Sequence, residues 1–320
     1  MFRLAHVSDL HLCQLPPVTW GQLANKRLLG YLSWCLHRRR SHVRAVLDAL
    51  VRDLHAIDPD HVAITGDLVN LALPAEFAEA AAWLRRLGPP ERISVVPGNH
   101  DALVAVLPGD GWDHWRPYMT SDADARDAAG DDFPFLRRRG PLAIVGLSTA
   151  RPSPPGFATG RLGADQLAHL DALLERLAEE GRCRVLLAHH CPIDGISRPR
   201  KRLIDAAQLR RCVASRGADL ILHGHEHVFS FGQIAGRDGP VPVFGTASAS
   251  RSSASPELTA QYHVHEVAWS AGRWRTVVET RMFSMASESF VPGPRRVVAQ
   301  QDSELILRPE PAPAICRRSA

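Results

Sequence analysis

From the N-terminus to residue 223, short apolar runs alternate with segments of helical periodicity. The runs that we predict to be strands cover residues 2–7, 61–65, 93–96, 142–147, 185–188 and 220–223. The helical segments lie near residues 43–57, 75–87, 162–177 and 205–213. Such alternation is typical of an α/β fold with a largely parallel sheet.

The pattern changes after residue 227, where strand-like runs follow one another without intervening helices. These runs cover residues 228–234, 241–244, 261–267 and 273–280. We therefore expect a second sheet, so that two mixed β-sheets pack face to face and are flanked by helices. One domain is predicted over residues 1–285, with an insertion at 14–40 and an irregular, Pro- and Arg-rich tail at 286–320.

Composition excludes several classes of protein. With 45% hydrophobic and 22% charged residues the chain is neither disordered nor fibrous, and its net charge of +4 does not indicate dedicated nucleic-acid binding. No apolar stretch reaches the roughly 18 residues of a membrane span, and residues 1–9 do not resemble a secretory signal. The six cysteines have no paired spacing. We expect a cytoplasmic protein, with any membrane contact peripheral and on the inner face.

Polar residues that bind metals cluster where the predicted strands end. These are Asp9 and His11, Asp67, the run from Asn99 to Asp101, His189, and His225 with His227. Any one of these pairs would be an ordinary turn. In open α/β sheets, however, the carboxyl ends of the strands form the ligand crevice. The whole series therefore predicts one shared metal site.

The motifs themselves resemble the calcineurin-like metallophosphoesterase superfamily in kind and in order. They read Ser-Asp-Leu-His-Leu at 8–12, Gly-Asp-Leu-Val-Asn at 66–70, Pro-Gly-Asn-His-Asp at 97–101, and Gly-His-Glu-His at 224–227. Their wording is similar to that of bacterial cyclic-nucleotide-phosphodiesterase-like members. The resemblance covers residues 1 to about 230 and implies a four-layer α/β/β/α sandwich.

The resemblance also implies two divalent metal ions, with Mn, Fe and Zn left as alternatives. It assigns Asp9, His11 and His227 to one ion, and Asn99, His189 and His225 to the other. Asp67 would bridge the two, because a carboxylate can hold ions about 3.5–4 Å apart. His100 would contact the phosphate and donate a proton to the leaving group, with Asp101 orienting its ring.

The remaining histidines have simpler interpretations. His190 and His223 lie next to expected ligands but point to the other face of their strands, which favours supporting roles. The other strand histidines are expected to be hydrogen-bonded core or edge residues: His6, His61, His263 and His265.

The implied reaction is hydrolysis of a phosphodiester by a metal-bound hydroxide, with a small organic or cyclic-nucleotide diester as the favoured substrate. The insertion leaves a second hypothesis about the function open, because it carries Trp20, several leucines and the basic run Arg38–Arg40. Residues 20–40 form either a cap on the domain or an element that contacts an anionic membrane surface.

The basic run at 198–202 could likewise reach a substrate phosphate. Together the two basic segments suit a peripheral-membrane pyrophosphatase of a nucleotide-diphosphate lipid precursor. A catalytically silent interaction module is a third hypothesis. It is disfavoured because every expected metal ligand is present.

Overall fold

The computed structural model describes residues 1–12, 15–107, 109–125, 133–301 and 303–310. Cys13 and Cys316 lie outside this part of the chain. The other four cysteines are free thiols, in agreement with the expectation from their spacing. Among the described residues, no helix is both long and apolar enough to cross a membrane.

Thirteen strands are present in the described residues. In chain order they are β1 (Phe2–Val7), β2 (His61–Ile64), β3 (Ile93–Val95), β4 (Phe135–Arg139), β5 (Leu142–Gly146), β6 (Cys183–Leu187), β7 (Leu220–His223), β8 (Ser230–Ala235), β9 (Pro240–Gly245), β10 (Gln261–Ser270), β11 (Arg273–Ser284), β12 (Ser289–Gln301) and β13 (Glu304–Pro309).

The described α-helices fall into two groups, four long ones and a chain of short ones in the insertion. In chain order they are α1 (Trp20–Leu23), α2 (Arg27–Ser33), α3 (Arg39–Ser41), α4 (Arg44–Ile57), α5 (Pro74–Leu87), α6 (Ala164–Leu177) and α7 (Ala206–Arg216). A π-helical turn at Trp34–Arg38 joins α2 to α3. Each long helix coincides, within a few residues, with a predicted helical segment.

The strands form two mixed sheets, which confirms the predicted fold class. One sheet has the order β13-β12-β11-β10-β1-β2-β3 and the other has the order β4-β5-β6-β7-β9-β8. Strands β1, β2 and β3 are parallel, as are β5, β6, β7 and β9. From the sequence we expected the late strands to form the second sheet by themselves, and this expectation is wrong. Strands β10–β13 extend the first sheet beyond β1, whereas β8 and β9 complete the second.

The prediction of an irregular tail from residue 286 was wrong over most of the tail's described length. Strands β12 and β13 pair antiparallel with β11 and with each other. Their Pro and Arg content misled the prediction. Pro292 and Pro294 lie in the part of β12 that does not pair with β13, next to an irregularity in its pairing with β11. Strand β13 is at the edge of the sheet, where missing ladder hydrogen bonds and charged side chains are tolerated. Residues 311–320 lie outside the described part of the chain.

Burial explains the four layers. One core lies between the sheets and beneath α4 and α5, and it includes Leu50, Phe77 and Phe244. A second core lies between the other sheet and α6 and α7, and it includes Leu174 and Val213. Within β5, alternate residues enter the two cores, as the period of two in a strand requires.

The insertion packs on the domain as a helical cap, which we define as residues 15–41. Leu23 is buried, and the Arg27 guanidinium donates to the carbonyls of Leu71 and Ala72. The other face of the cap is open. Large apolar side chains are exposed there: Trp20, Leu28, Leu29, Leu32 and Leu36.

Candidate metal centre

The predicted ligands come from the ends of five strands and from both sheets. Asp9 and His11 follow β1, Asp67 follows β2 and Asn99 follows β3, all in the first sheet. From the second sheet, His189 follows β6, and His225 and His227 follow β7. The two sheets therefore present their ligands to one shared mouth.

Backbone strain is concentrated at these positions. Five of the predicted ligands have a positive φ: Asp9 (53°), His11 (40°), Asp67 (55°), His225 (75°) and His227 (56°). Left-handed backbone is uncommon for residues other than glycine and persists only where the surrounding structure imposes it. Its repetition on separate strand ends indicates a functional constraint on where these side chains point.

Neighbouring glycines allow the ligand loops to approach one another. A Cβ on Gly98 would lie 2.3 Å from Oδ1 of Asp67, and one on Gly224 would lie 1.9 Å from Oγ of Ser8. Both distances are shorter than any tolerated contact. The glycines of the sequence motifs are therefore required by close packing around the carboxylates.

The structure brings Asp9, His11, Asp67 and His227 together, with one potential ligand atom from each within 4.8 Å of the others. Nε2 of His11 lies 3.2 Å from Nε2 of His227, and Nε2 of His227 lies 3.0 Å from Oδ1 of Asp9. His225 donates its backbone N–H to Oδ2 of Asp9 at 3.0 Å, which orients that carboxylate.

A second group shares Asp67 and lies beside the first. Asp67, His189 and His225 have potential ligand atoms within 4.8 Å of one another. Nε2 of His189 is 3.4 Å from Oδ2 of Asp67, 3.1 Å from Oδ1 of Asn99 and 3.2 Å from Nδ1 of His225. Nδ1 of His189 donates to the Thr65 carbonyl at 2.7 Å, so Nε2 presents its lone pair to the centre.

These separations fit metal ions. Ligand atoms bound to one cation at about 2.1 Å lie roughly 3.0–3.4 Å apart, depending on the coordination geometry. Oδ1 of Asp9 faces only Nε2 of His227, and Nε2 of His225 is buried without a hydrogen-bond partner among the described residues. Facing lone pairs and unpaired buried acceptors are the arrangement expected of a ligand set that cations complete.

The electrostatics of the centre also favour bound cations. Burial opposes a charge on His189, but the carboxylate of Asp67 outweighs it and raises the pKa of His189 to about 9. Burial likewise works against the Asp67 carboxylate, yet His189 and His100 hold its pKa well below the usual range. The buried carboxylate thus demands nearby positive charge, and divalent cations would supply it.

His100 lies at the mouth of this centre, with its backbone N–H donating to Oδ1 of Asp67 at 2.7 Å. Its ring Nδ1 is 2.7 Å from the Asn70 carbonyl, a distance at which Nδ1 carries the hydrogen and donates it. Nη1 of Arg38 lies 3.0 Å from the same nitrogen. Burial first, and then the charge of Arg38, lower the pKa of His100 to about 3.

Asp101 does not orient His100, contrary to the prediction from sequence. Its carboxylate instead accepts the backbone N–H groups of Asp67, Leu68, Val69 and Gly98 at 2.8–3.0 Å. The carboxylate is drawn into these two loops because their N–H groups would otherwise be buried without an acceptor. Burial, followed by repulsion from Asp67, raises the pKa of Asp101 to about 7.

The two histidines next to ligands take up supporting positions. Nδ1 of His190 lies 2.7 Å from Oγ1 of Thr149, and its Nε2 lies 3.1 Å from the Ala158 carbonyl. His223 contacts its own strand end, with Nδ1 3.0 Å from the Gly224 carbonyl. Neither side chain belongs to the ligand groups that the described residues form.

Two further residues lie at the centre. Arg38 was predicted only as part of a basic run that could meet a phosphate or an anionic membrane surface, and the cap turns its guanidinium towards His100. His42 had no assigned role, but its ring lies 4.9 Å from that of His11, and its Nδ1 is 2.6 Å from Oγ of Ser250. The sequence signal for Arg38 was its position in the insertion that follows the first ligand strand, and His42 lies just after that insertion.

Comparison with known proteins identifies the family. The model of the calcineurin-like phosphoesterase family matches residues 2–229. Glycerophosphodiester phosphodiesterase GpdQ of Enterobacter lignolyticus is 28% identical over 59% of this chain and 57% of its own length. The match therefore spans little more than half of GpdQ. A probable cyclic nucleotide phosphodiesterase of Synechococcus sp. is 25% identical over 86% of this chain and 91% of its own length.

Solved structures share the fold at low sequence identity. A dimetal phosphatase from Danio rerio superposes with a TM-score of 0.59 at 13% identity, covering 91% of this chain and 98% of its own. Purple acid phosphatase PPD1 from yellow lupin superposes with a TM-score of 0.55 at 12% identity, covering 91% of this chain and 52% of its own.

The match to the family model covers more than half of the chain and contains every ligand-bearing strand end described above. Together with the phosphodiesterase-named relatives, it supports a metal-dependent phosphoester hydrolase. The chain belongs to the calcineurin-like phosphoesterase family.

Proposed function

We propose that the chain hydrolyses phosphodiesters with two divalent metal ions. Asp9, His11 and His227 would hold one ion, and Asn99, His189 and His225 the other, with Asp67 bridging them. The observation that carries this proposal is that Asp67 belongs to both groups of converging ligand atoms. The mixed nitrogen and oxygen donors suit Mn, Fe or Zn.

The ions would supply a nucleophile at neutral pH, by lowering the pKa of a water molecule, and would stabilise charge on the attacked phosphate. The protein's own contribution is positioning. Thr65 holds His189 through its carbonyl, and the N–H of His225 holds Asp9. Such supporting contacts keep the ligands in one orientation and limit the reorganisation needed during the reaction.

Arg38 and His100 would receive the phosphate. Both lie at the mouth of the centre, and within the described part of the chain the carboxylates of Asp67 and Glu76 act on Arg38 through their charge without forming a close ion pair with it. A cation without a carboxylate partner beside a metal centre favours an anionic ligand. A bound phosphate would also stabilise the imidazolium form of His100, whose Nε2 proton can pass to the leaving-group oxygen.

Small organic diesters and cyclic nucleotides are the favoured substrates, on the strength of the phosphodiesterase names of both curated relatives. The exposed apolar face of the cap favours a second candidate, a pyrophosphatase acting on a nucleotide-diphosphate lipid at an anionic membrane surface. Trp20 is 84% exposed and Leu36 is 71% exposed, beside the exposed Arg39 and Arg40. Aromatic and aliphatic side chains next to arginines are typical of interfacial helices.

A substrate panel tests the proposal. The purified chain, loaded with Mn²⁺, is assayed on bis-p-nitrophenyl phosphate, p-nitrophenyl phosphate, cyclic AMP, glycerophosphodiesters and a UDP-linked diacyl lipid. We expect turnover of at least one diester or of the lipid pyrophosphate, and none by Asp67→Asn. Absence of turnover on every substrate in the metal-loaded chain would contradict the proposal and favour a silent interaction module.

A further inference from the structure

Three buried histidines face one another between the two sheets, apart from the centre at Asp67. His6 lies on β1, and His263 and His265 lie on β10. The strand register pairs His6 with His263 and Leu4 with His265, which places all three imidazoles on the same face of the first sheet. Each of the three residues is fully buried.

Most of their ring nitrogens have no partner in the described part of the chain. Nε2 of His6 lies 3.0 Å from Oγ1 of Thr65, but Nδ1 of His6 and both nitrogens of His263 and His265 make no hydrogen bond. A buried polar group without a hydrogen-bond partner destabilises the fold. The expectation that these histidines are hydrogen-bonded core residues is therefore wrong for two of them. By contrast, Nε2 of His61 contacts Oγ of Ser94.

In the described part of the chain, aromatic rings pack against these histidines. Phe229 and His263 are in edge-to-face contact, as are Phe244 and His265, each pair with ring centroids 5.0 Å apart. Burial lowers the pKa of His263 to about 3 and holds the pKa values of His6 and His265 well below the usual range. The rings are therefore neutral, which is the form that binds metals.

Their mutual geometry suits one shared ion. The three ring centroids form a nearly equilateral triangle with sides of 5.9, 6.2 and 6.4 Å. One nitrogen from each ring lies within 4.8 Å of the other two. Nitrogens on a tetrahedral Zn²⁺ lie roughly 3.3 Å apart, so small rotations of the rings would close the set.

We propose that His6, His263 and His265 bind one additional transition-metal ion of the Zn²⁺ type between the sheets. Three imidazoles without a carboxylate select Zn, Cu or Ni rather than Mg or Ca, and they leave one coordination position for a small ligand such as water. The ion joins β1 to β10. Thr65 links the two sites, because its hydroxyl contacts His6 and its carbonyl accepts from His189.

Metal counting tests this inference independently of any activity. The full chain is unfolded in guanidinium with a chelator, refolded with Zn²⁺ or Co²⁺, desalted and measured by elemental analysis. We expect three ions per chain in the wild type and one fewer in His263→Gln/His265→Gln. The matched control is His61→Gln, which replaces a buried strand histidine outside the cluster and should keep the wild-type count.

A second variant tests the histidine cluster by itself, because a total ion count does not show which site holds each ion. In Asp9→Asn/Asp67→Asn/His189→Gln the centre is disrupted, and we expect one remaining ion, with a Co²⁺ visible spectrum typical of tetrahedral nitrogen ligation. A folded disrupted variant that retains no ion, or a folded His263→Gln/His265→Gln that keeps the wild-type count, overturns the proposal. Should His263→Gln/His265→Gln fail to fold, the wild-type total and the disrupted variant decide the question.

Discussion

The guanidinium of Arg38 lies 3.0 Å from Nδ1 of His100, although 62 residues separate them in the chain. Arg38 belongs to the cap, and His100 follows the predicted ligand Asn99. The cap therefore supplies a cation to the mouth of the metal centre, and four predictions concern this mouth or its supports.

Arg38→Gln should lower kcat/KM about 10- to 100-fold, because a charge-assisted hydrogen bond contributes roughly 1.5–3 kcal/mol. The matched control is Arg40→Gln, since Arg40 is exposed on the same cap. Steady-state kinetics on the best substrate of the panel provide the measurement. Equal effects of the two substitutions would show that Arg38 does not contact the phosphate.

Asp67→Asn should abolish hydrolysis and reduce the metal content of the centre. The residue belongs to both ligand groups, so its loss weakens both sites at once. Elemental analysis and Mn²⁺-dependent turnover are measured together, and chelation of the wild type should reproduce the loss reversibly. Asp205→Asn is the control, because this buried carboxylate accepts N–H groups of Leu162 and Gly163 away from the centre. Full activity in Asp67→Asn would reject the bridging role.

Asp101→Asn should destabilise the fold by about 2–4 kcal/mol. The carboxylate accepts N–H groups from both ligand loops, and an amide would place hydrogens against some of them. We expect a lower thermal midpoint and weaker metal binding, measured by calorimetry and by metal titration. His100→Asn, which lacks this role, should retain the wild-type midpoint while losing turnover. Unchanged stability in Asp101→Asn would contradict the loop-anchoring role.

Gly30→Val should displace the cap and raise KM several-fold. A Cβ at this position would lie 2.7 Å from Cδ2 of Leu71 and 3.2 Å from Cδ2 of Leu103, so a branched side chain requires the buried leucines or α2 to move. Gly21→Val is the matched control, because nothing lies within 4 Å of a Cβ there. Substrate kinetics and limited proteolysis of the cap distinguish the two. Identical behaviour of both variants would mean that the cap does not shape the substrate site.

The membrane candidate makes its own prediction. Leu29→Ser/Leu36→Ser should reduce co-sedimentation with vesicles containing phosphatidylglycerol, since both side chains are exposed on the cap. The control is Trp269→Ser, which removes an equally exposed side chain from β10. Absence of wild-type binding to these vesicles would leave only the small-diester function.

The sequence by itself predicted the candidate ligand set and determined the fold class. Each predicted ligand follows an apolar strand directly, so its place at a strand end depends only on local pattern, and parallel strands carry such ends to one edge. The glycines at 66, 98 and 224 could also be recognised from the sequence, because each belongs to one of these local motifs.

Tertiary structure alone decided what meets across long separations in the chain. Arg38 reaches His100 because the cap folds back over the mouth, and no periodicity encodes that path. Asp101 turns to the loop N–H groups because buried donors need an acceptor, which a motif cannot reveal. His6 meets His263 only through the register of β1 with β10. Side-chain partners across strands follow from register and packing, which are properties of the whole fold.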